Sequence, residues 1–277
     1  MDQGDYGMAQ ERIEKSLTLA RALAYQQGIA RALTRLGSLA WDQDRITEAL
    51  AYRQESLRIE QALGNQVNMA SAFLGIGDAE RFLGHVEAAQ STYEESLKLS
   101  KALGHKGLMG AALKGLGMLA FKQEAYTQAR HFGEEALRIF REVGDQAHIG
   151  FALTNLGDVA RKSGDERQAL AYYGQALAIM HAIGYKWPTF YALEDIAQLL
   201  TDVGQHAEAA TRFLGAAAAL RAETAIPVTP EQQDAYDQRL TTLRQRLGAL
   251  PFDTLWHTGQ TTPLAHIVIA ATELVLR

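Results

Sequence analysis

The groups best equipped for chemistry in this 277-residue chain are eight histidines, dispersed serines, and lysines and arginines interleaved with aromatic residues; cysteine is absent, which excludes thiolate chemistry and a disulfide framework. Covalent catalysis finds no template among them. Gly104-His105-Lys106-Gly107 brings a lysine beside two glycines, but it lacks both the spacing of a phosphate-cradling loop and the Ser or Thr that follows its lysine. Gly75 and Gly77 have no third glycine of a dinucleotide fingerprint and fall inside a helical pattern, so close packing is their expected role. His85, His105, His131 and His206 occupy expected turns, a helix end or an outer helix, with no His-x-x-x-His and no acidic partner at ligand spacing. No serine stands on a strand-to-helix elbow. Neither an enzyme nor a cofactor or metal is therefore expected. Non-covalent recognition remains: cations can hold carboxylates through charge-assisted hydrogen bonds, and aromatic rings can supply apolar contact.

The elements that must position these groups follow from a forty-residue period. Gly37, Gly77, Gly117 and Gly157 recur at that interval, as do Ala49, Ala89, Ala129, Ala169 and Ala209, and Gly64, Gly104, Gly144 and Gly184. Units this short cannot bury their own apolar face and must stack on neighbours. Between Ile29 and Trp41, apolar or small residues fall on one helical face; a polar turn from Asp42 to Arg45 follows; a second helix runs from Ile46 to Leu63 and stops at Gly64, which suits a left-handed cap. Further first helices are predicted to start near 67, 107, 147 and 187, with turns at 83–85, 123–125, 163–165 and 203–205. Glycine and alanine at the fixed positions predict close backbone approach within each hairpin. With 47% hydrophobic residues and mean hydropathy −0.15, the chain can bury a long core. A net charge of −5 with no basic run argues against nucleic acid, and the first twenty residues hold neither a signal sequence nor a membrane span, so a cytoplasmic protein off the membrane is expected.

Leu36-Gly37, Ala49 twelve positions on, the large residue Arg53, Tyr93, Tyr173 or Phe213 four later, and Ser56, Ser96, Ala136, Ala176 or Ala216 beyond it together resemble the tetratricopeptide repeat, in a variant about six residues longer than the common unit. The resemblance covers residues 28–222, and Ala9 and Leu17 align with Ala49 and Leu57 as the second helix of an earlier half repeat. It implies an all-α fold: a right-handed α-solenoid of helix-turn-helix units over 1–222, closed by capping helices over 223–277. Within that tail, Thr229 with Pro230 and Gln232 predicts a capping box, a helix to about Leu247, a short turn of helix over Pro251–His257 and a last helix after Pro263.

The tail resembles a second group. Thr211–Ala217, an Ile-Pro segment, Tyr236, Leu240 and Leu243, then Phe252, Trp256 and Gly259, are similar to the C-terminal end of bacterial regulators in which a STAND-type ATPase, often with a LuxR-type DNA-binding domain, precedes a tetratricopeptide array. That resemblance implies the sensor or partner-binding arm of a transcriptional regulator, controlling self-association. A stand-alone scaffold or adaptor and a helical phosphatase are the alternatives.

The tetratricopeptide resemblance also implies that the first helix of each repeat lines an inner groove. The residues expected there to bind a protein or peptide segment, or a small effector, are Arg31, Trp41, Arg81, Phe82, Lys114, Phe121, Lys122, Phe151, Asn155, Asp158, Arg161, Lys162 and Tyr191. Asn155 stands where many such grooves carry an asparagine that holds peptide backbone. Trp41 and Trp187 are equally placed for packing within the stack.

Overall fold

A computed structural model describes residues 3–204 and 206–275. Among them it contains helices and no strand: α1 (Gln3–Ala22), α2 (Gln26–Asp42), α3 (Ile46–Leu63), α4 (Gln66–Leu83), α5 (Val86–Ala102), α6 (Lys106–Lys122), α7 (Tyr126–Val143), α8 (Gln146–Lys162), α9 (Glu166–Ala182), α10 (Lys186–Asp202), α11 (Ala207–Thr224), α12 (Pro230–Leu247), α13 (Ala249–Thr261) and α14 (Leu264–Val275). The fold is all-α and of the α-solenoid class, built from the helix-turn-helix hairpins α2–α3, α4–α5, α6–α7, α8–α9 and α10–α11. Gln205, in the last expected turn, lies outside the described residues. The chain divides into two compact units, Met1–Ile139 and Phe140–Arg277.

The helix ends follow local chemistry. Gly64, Gly104, Gly144 and Gly184 all adopt positive φ between hairpins, as their expected capping role requires. Within hairpins the same left-handed conformation falls on Gly84, Gly164 and Gly204, but on Asp44 and Glu124 in the other two. Asn65, His105, Asp145 and Asp165 cap the helices that follow, each accepting a backbone N–H three residues on.

Packing inside each hairpin occurs at the small residues. A methyl group on Gly37 would lie 3.4 Å from the Ala49 carbonyl, and one on Gly117 would lie as close to the Ala129 carbonyl. At Gly77 and Gly157 the vacated space instead receives the ring of Tyr93 or Tyr173, both fully buried. Ser56 and Ser96 stitch helix to helix by donating to the carbonyls of Ala30 and Ala70, at 3.1 and 2.8 Å.

In the second unit one core joins the last hairpins to the tail: Phe190, Leu193, Ile196, Phe213 and Leu214 pack with Leu243, Phe252, Ile267, Val268 and Ala271. Helices α11 and α13 cross at paired glycines, where a methyl on Gly215 would strike the Trp256 backbone and one on Gly259 the Arg212 backbone. Two expectations for the tail need correction. Thr229 is the N-cap residue of α12 and Pro230 opens it, but the Thr229 side chain accepts no capping bond; Gln232 N–H goes to the Thr229 carbonyl at 2.9 Å. The short turn near Pro251 is a full helix, α13, because a proline in the first helical turn removes an N–H that has no intrahelical partner there.

Candidate functional site

The first helices of the hairpins carry the expected recognition residues, so each unit holds its own part of that surface. In the first unit Arg31 and Lys122 are exposed, Lys114 and Arg81 half-buried. Trp41 meets Phe82 edge to face at 5.8 Å, and Phe82 keeps 56% of its surface in solvent. Phe121 leans toward the following turn, 5.8 Å from Tyr126. In the second unit Phe151 stacks on Trp187 at 5.5 Å, and Trp187 meets Tyr191 edge to face at 6.1 Å. Trp187 remains 46% exposed. Asn155 is half-buried on α8 and Lys162 is exposed at its end.

The charged residues are not all free to meet a partner. Tyr93 donates to Asp78 Oδ1 at 2.7 Å, and Tyr173 to Asp158 Oδ1 at the same distance. Arg81 and Arg161, one helical turn beyond these carboxylates, lie beside the same tyrosine hydroxyls and work to lower the phenol pKa values, and Arg161 approaches Asp158 Oδ1 at 4.0 Å. An aspartate, arginine and tyrosine thus form the same triad in alternate hairpins. Burial, then the adjoining carboxylates, push both phenols far above their ordinary range. They are permanent donors.

Helix α10 adds a second carboxylate to the Asp158 triad. Asp195 sits half-buried on the next hairpin, and burial, reinforced by Asp158, pushes its carboxyl up to about 8; Arg161 works the other way. Asp158 is raised too, chiefly by burial, against the pull of Tyr173 and Arg161. Opposite them, Arg239 on α12 is lowered by burial, and its Nε is buried without a partner. Beside this cluster Arg221 forks onto Glu194 at 2.6 and 2.8 Å and lies over the Phe190 and Tyr191 rings at 4.3 and 4.8 Å. Burial works against the Arg221 charge, but its bonds to Glu194 prevail and raise its pKa. Desolvated, with Arg221 and Glu194 doubly paired, these side chains form a polar wall beside Tyr191 of the aromatic run.

The structure therefore separates the expected residues into two sets. Trp41 with Phe82, and Phe151 with Tyr191 through Trp187, form accessible aromatic surfaces; Arg81, Asp158 and Arg161 are tied into triads. Arg221 and Arg239 lay outside the expected residues because their partners come from different helices, and no local spacing announces such pairs. The histidines also find acids: His85 Nδ1 contacts Glu80 at 2.5 Å and His148 Nδ1 contacts Asp145 at 2.8 Å. The first contact reaches back across a helix C-terminus, a distance of five residues that helical face counting does not scan.

This fold, a succession of helix-turn-helix hairpins, defines a helical-repeat protein. The chain belongs to the tetratricopeptide repeat family, whose profile matches residues 28–102 and 108–182, more than half of its length. No curated protein matches the sequence. Among solved structures it is similar to BtubC (BKLC) from P. vanneervenii, at 18% identity and a TM-score of 0.66 over 79% of this chain and 92% of that one. It is also similar to a Rap protein complexed with Competence and Sporulation Factor, at 12% identity and TM-score 0.65 over 100% and 88% of the two chains. The apo form of RapI aligns at 14% identity and TM-score 0.64 over 96% and 99%. At these identities the likeness concerns the fold. Among the described residues no helix is long and apolar enough to cross a membrane.

Proposed function

We propose that the chain is a non-catalytic interaction module that holds a protein or peptide segment against the first helices of its hairpins. The carrying observation is the run Phe151–Trp187–Tyr191 in the second unit. A large apolar surface left accessible, backed by charged side chains and with Lys162 three turns further along α8, has the composition of a recognition surface: aromatic anchors beside polar groups that fix register. That one neighbour in fold was solved with a bound factor adds support by analogy. The helices after residue 222 we read as a cap, because their apolar residues complete the core of the last hairpins.

The likeness of residues 200–277 to the end of STAND-type regulators supports a finer reading, the partner-binding arm of a cytoplasmic transcriptional regulator that responds to a protein segment or small effector by changing its self-association. Sequencing the locus tests that reading: an ATPase in the same reading frame is expected, and an unrelated frame sinks it. The interaction surface is tested by affinity capture with the wild-type chain, with Trp187→Ala and Lys162→Glu, and with Gln175→Ala on the exposed surface of α9 as control. Partners retained by the wild type and the control but lost from the first two variants are expected; equal retention by all four would remove the aromatic run from recognition.

A further inference from the structure

The first unit contains a polar hollow between α2, α3 and α4 of about 220 Å³, lined by Arg31, Thr34, Arg35, Arg53, Ser56, Glu60, Asn68, Ser71 and Ala72. Its making is visible in the repeat. Arg53 stands where the other hairpins place Tyr93, Gly133, Tyr173 and Phe213, and Glu60 where they place Ser100, Phe140, Met180 and Leu220. In the second unit Tyr173 and Met180 fill the equivalent place, Met180 closing onto Gly150. In the first unit Gly75 withdraws to admit the Arg53 guanidinium, and the hollow stays open.

Its polar groups are unfinished. Glu60 is 2% exposed; its Oε1 accepts from Asn68 at 2.9 Å, while Oε2 is buried without a partner. The Arg53 Nε is likewise buried and unpartnered. Burial lowers the Arg53 pKa, against the attraction of Asp78 and Asp42. A buried carboxylate oxygen and a buried guanidinium N–H left unmade each cost on the order of 1–3 kcal/mol, more where charge is involved. The two demand opposite partners, a donor for Glu60 and an acceptor for Arg53, and Arg31 and Arg35 at the exposed rim favour an anion.

We propose that this hollow binds a free α-amino acid, its ammonium group on Glu60 Oε2 and its carboxylate on the arginines. An α-amino acid brings a cation and an anion together in a ligand suited to so small a space, which lies below the roughly 300–1,000 Å³ of pockets for drug-sized ligands. A peptide terminus offers one charge or the other. The site is separate from the aromatic surface of the second unit and does not depend on it.

The test is titration of the full chain with each proteinogenic L-amino acid at millimolar concentration, by calorimetry and thermal shift, followed by the α-carboxamide and N-acetyl derivatives of whichever binds. One or more amino acids are expected to bind, both derivatives to lose at least about tenfold in affinity, and Glu60→Gln to lose as much. Glu60→Met, which copies the filled hairpin, is expected to keep its helix content and melting temperature and to bind nothing. The proposal is overturned if no amino acid binds, if either derivative binds as tightly as its parent, or if a folded Glu60→Met chain still binds.

Discussion

Tyr173 donates its hydroxyl hydrogen to Asp158 at 2.7 Å, and Tyr93 makes the same bond to Asp78 two hairpins earlier. Each ring fills the notch of a glycine on the partner helix, Gly157 or Gly77, so the hydroxyl reaches its acceptor from a buried position. Replacing either tyrosine by phenylalanine keeps the ring and strips the carboxylate of its donor. Tyr93→Phe and Tyr173→Phe should each lose about 1–3 kcal/mol in urea unfolding. A variant that unfolds at the wild-type midpoint would show that its bond contributes nothing.

The second carboxylate makes stability depend on pH. Asp195 titrates at about 8 in the folded chain, while an unfolded aspartate titrates near about 4. Because the folded value is the higher one, folding takes up a proton between the two, so the contribution of Asp195 is complete below the unfolded value and is lost as pH rises through the folded one. Wild-type stability should therefore fall across that window, by up to about 1.4 kcal/mol per pH unit from this group, and Asp195→Asn should flatten the fall. Parallel stability profiles for the two proteins would refute the assignment.

Arg221 and Glu194 form a buried, doubly hydrogen-bonded pair. Arg221→Ala leaves the Glu194 charge desolvated and should cost about 3–5 kcal/mol, whereas Arg221→Met with Glu194→Leu should recover much of that loss. Thermal melts of the single and double variants decide the matter; additive losses would mean that the two side chains act separately.

The crossing of α11 and α13 permits no side chain. At Gly215 and Gly259 the obstructing atoms are backbone, which cannot swing aside. Gly215→Ala and Gly259→Ala should each destabilise by about 1–3 kcal/mol or more. Gly7, within α1, meets nothing within 4 Å, and Gly7→Ala should be neutral or stabilising by up to about 1 kcal/mol. The reverse order in chemical denaturation would contradict the packing.

Much of the fold was legible because the forty-residue beat places small residues where backbones meet and glycines where φ turns positive: Gly37, Gly117, Gly64 and Gly184 all occupy the expected places. The fates of Arg81, Asp158 and Arg161 were not legible. Their phase on the helix points them toward the inner face, but a tyrosine arriving from the second helix bonds the carboxylate and sits beside the arginine. Arg53 and Glu60 carried a signal that period alone does not weigh, a charge at a phase that every other repeat fills with an uncharged residue. Asp44 and Glu124 at positive φ show the limit in the other direction: turn geometry persists where the residue type that favours it is missing.

The Tyr93 ring is also wedged from the far side, against Gly115 on the following hairpin. The Tyr173 hairpin instead meets Asp195 at the place that matches Gly115, so the joints of the array come in more than one cut. Trimming, duplicating or exchanging modules would then follow rules of adjacency: the Tyr93 hairpin moves together with its notched neighbour, and the Tyr173 hairpin with the neighbour that carries Asp195.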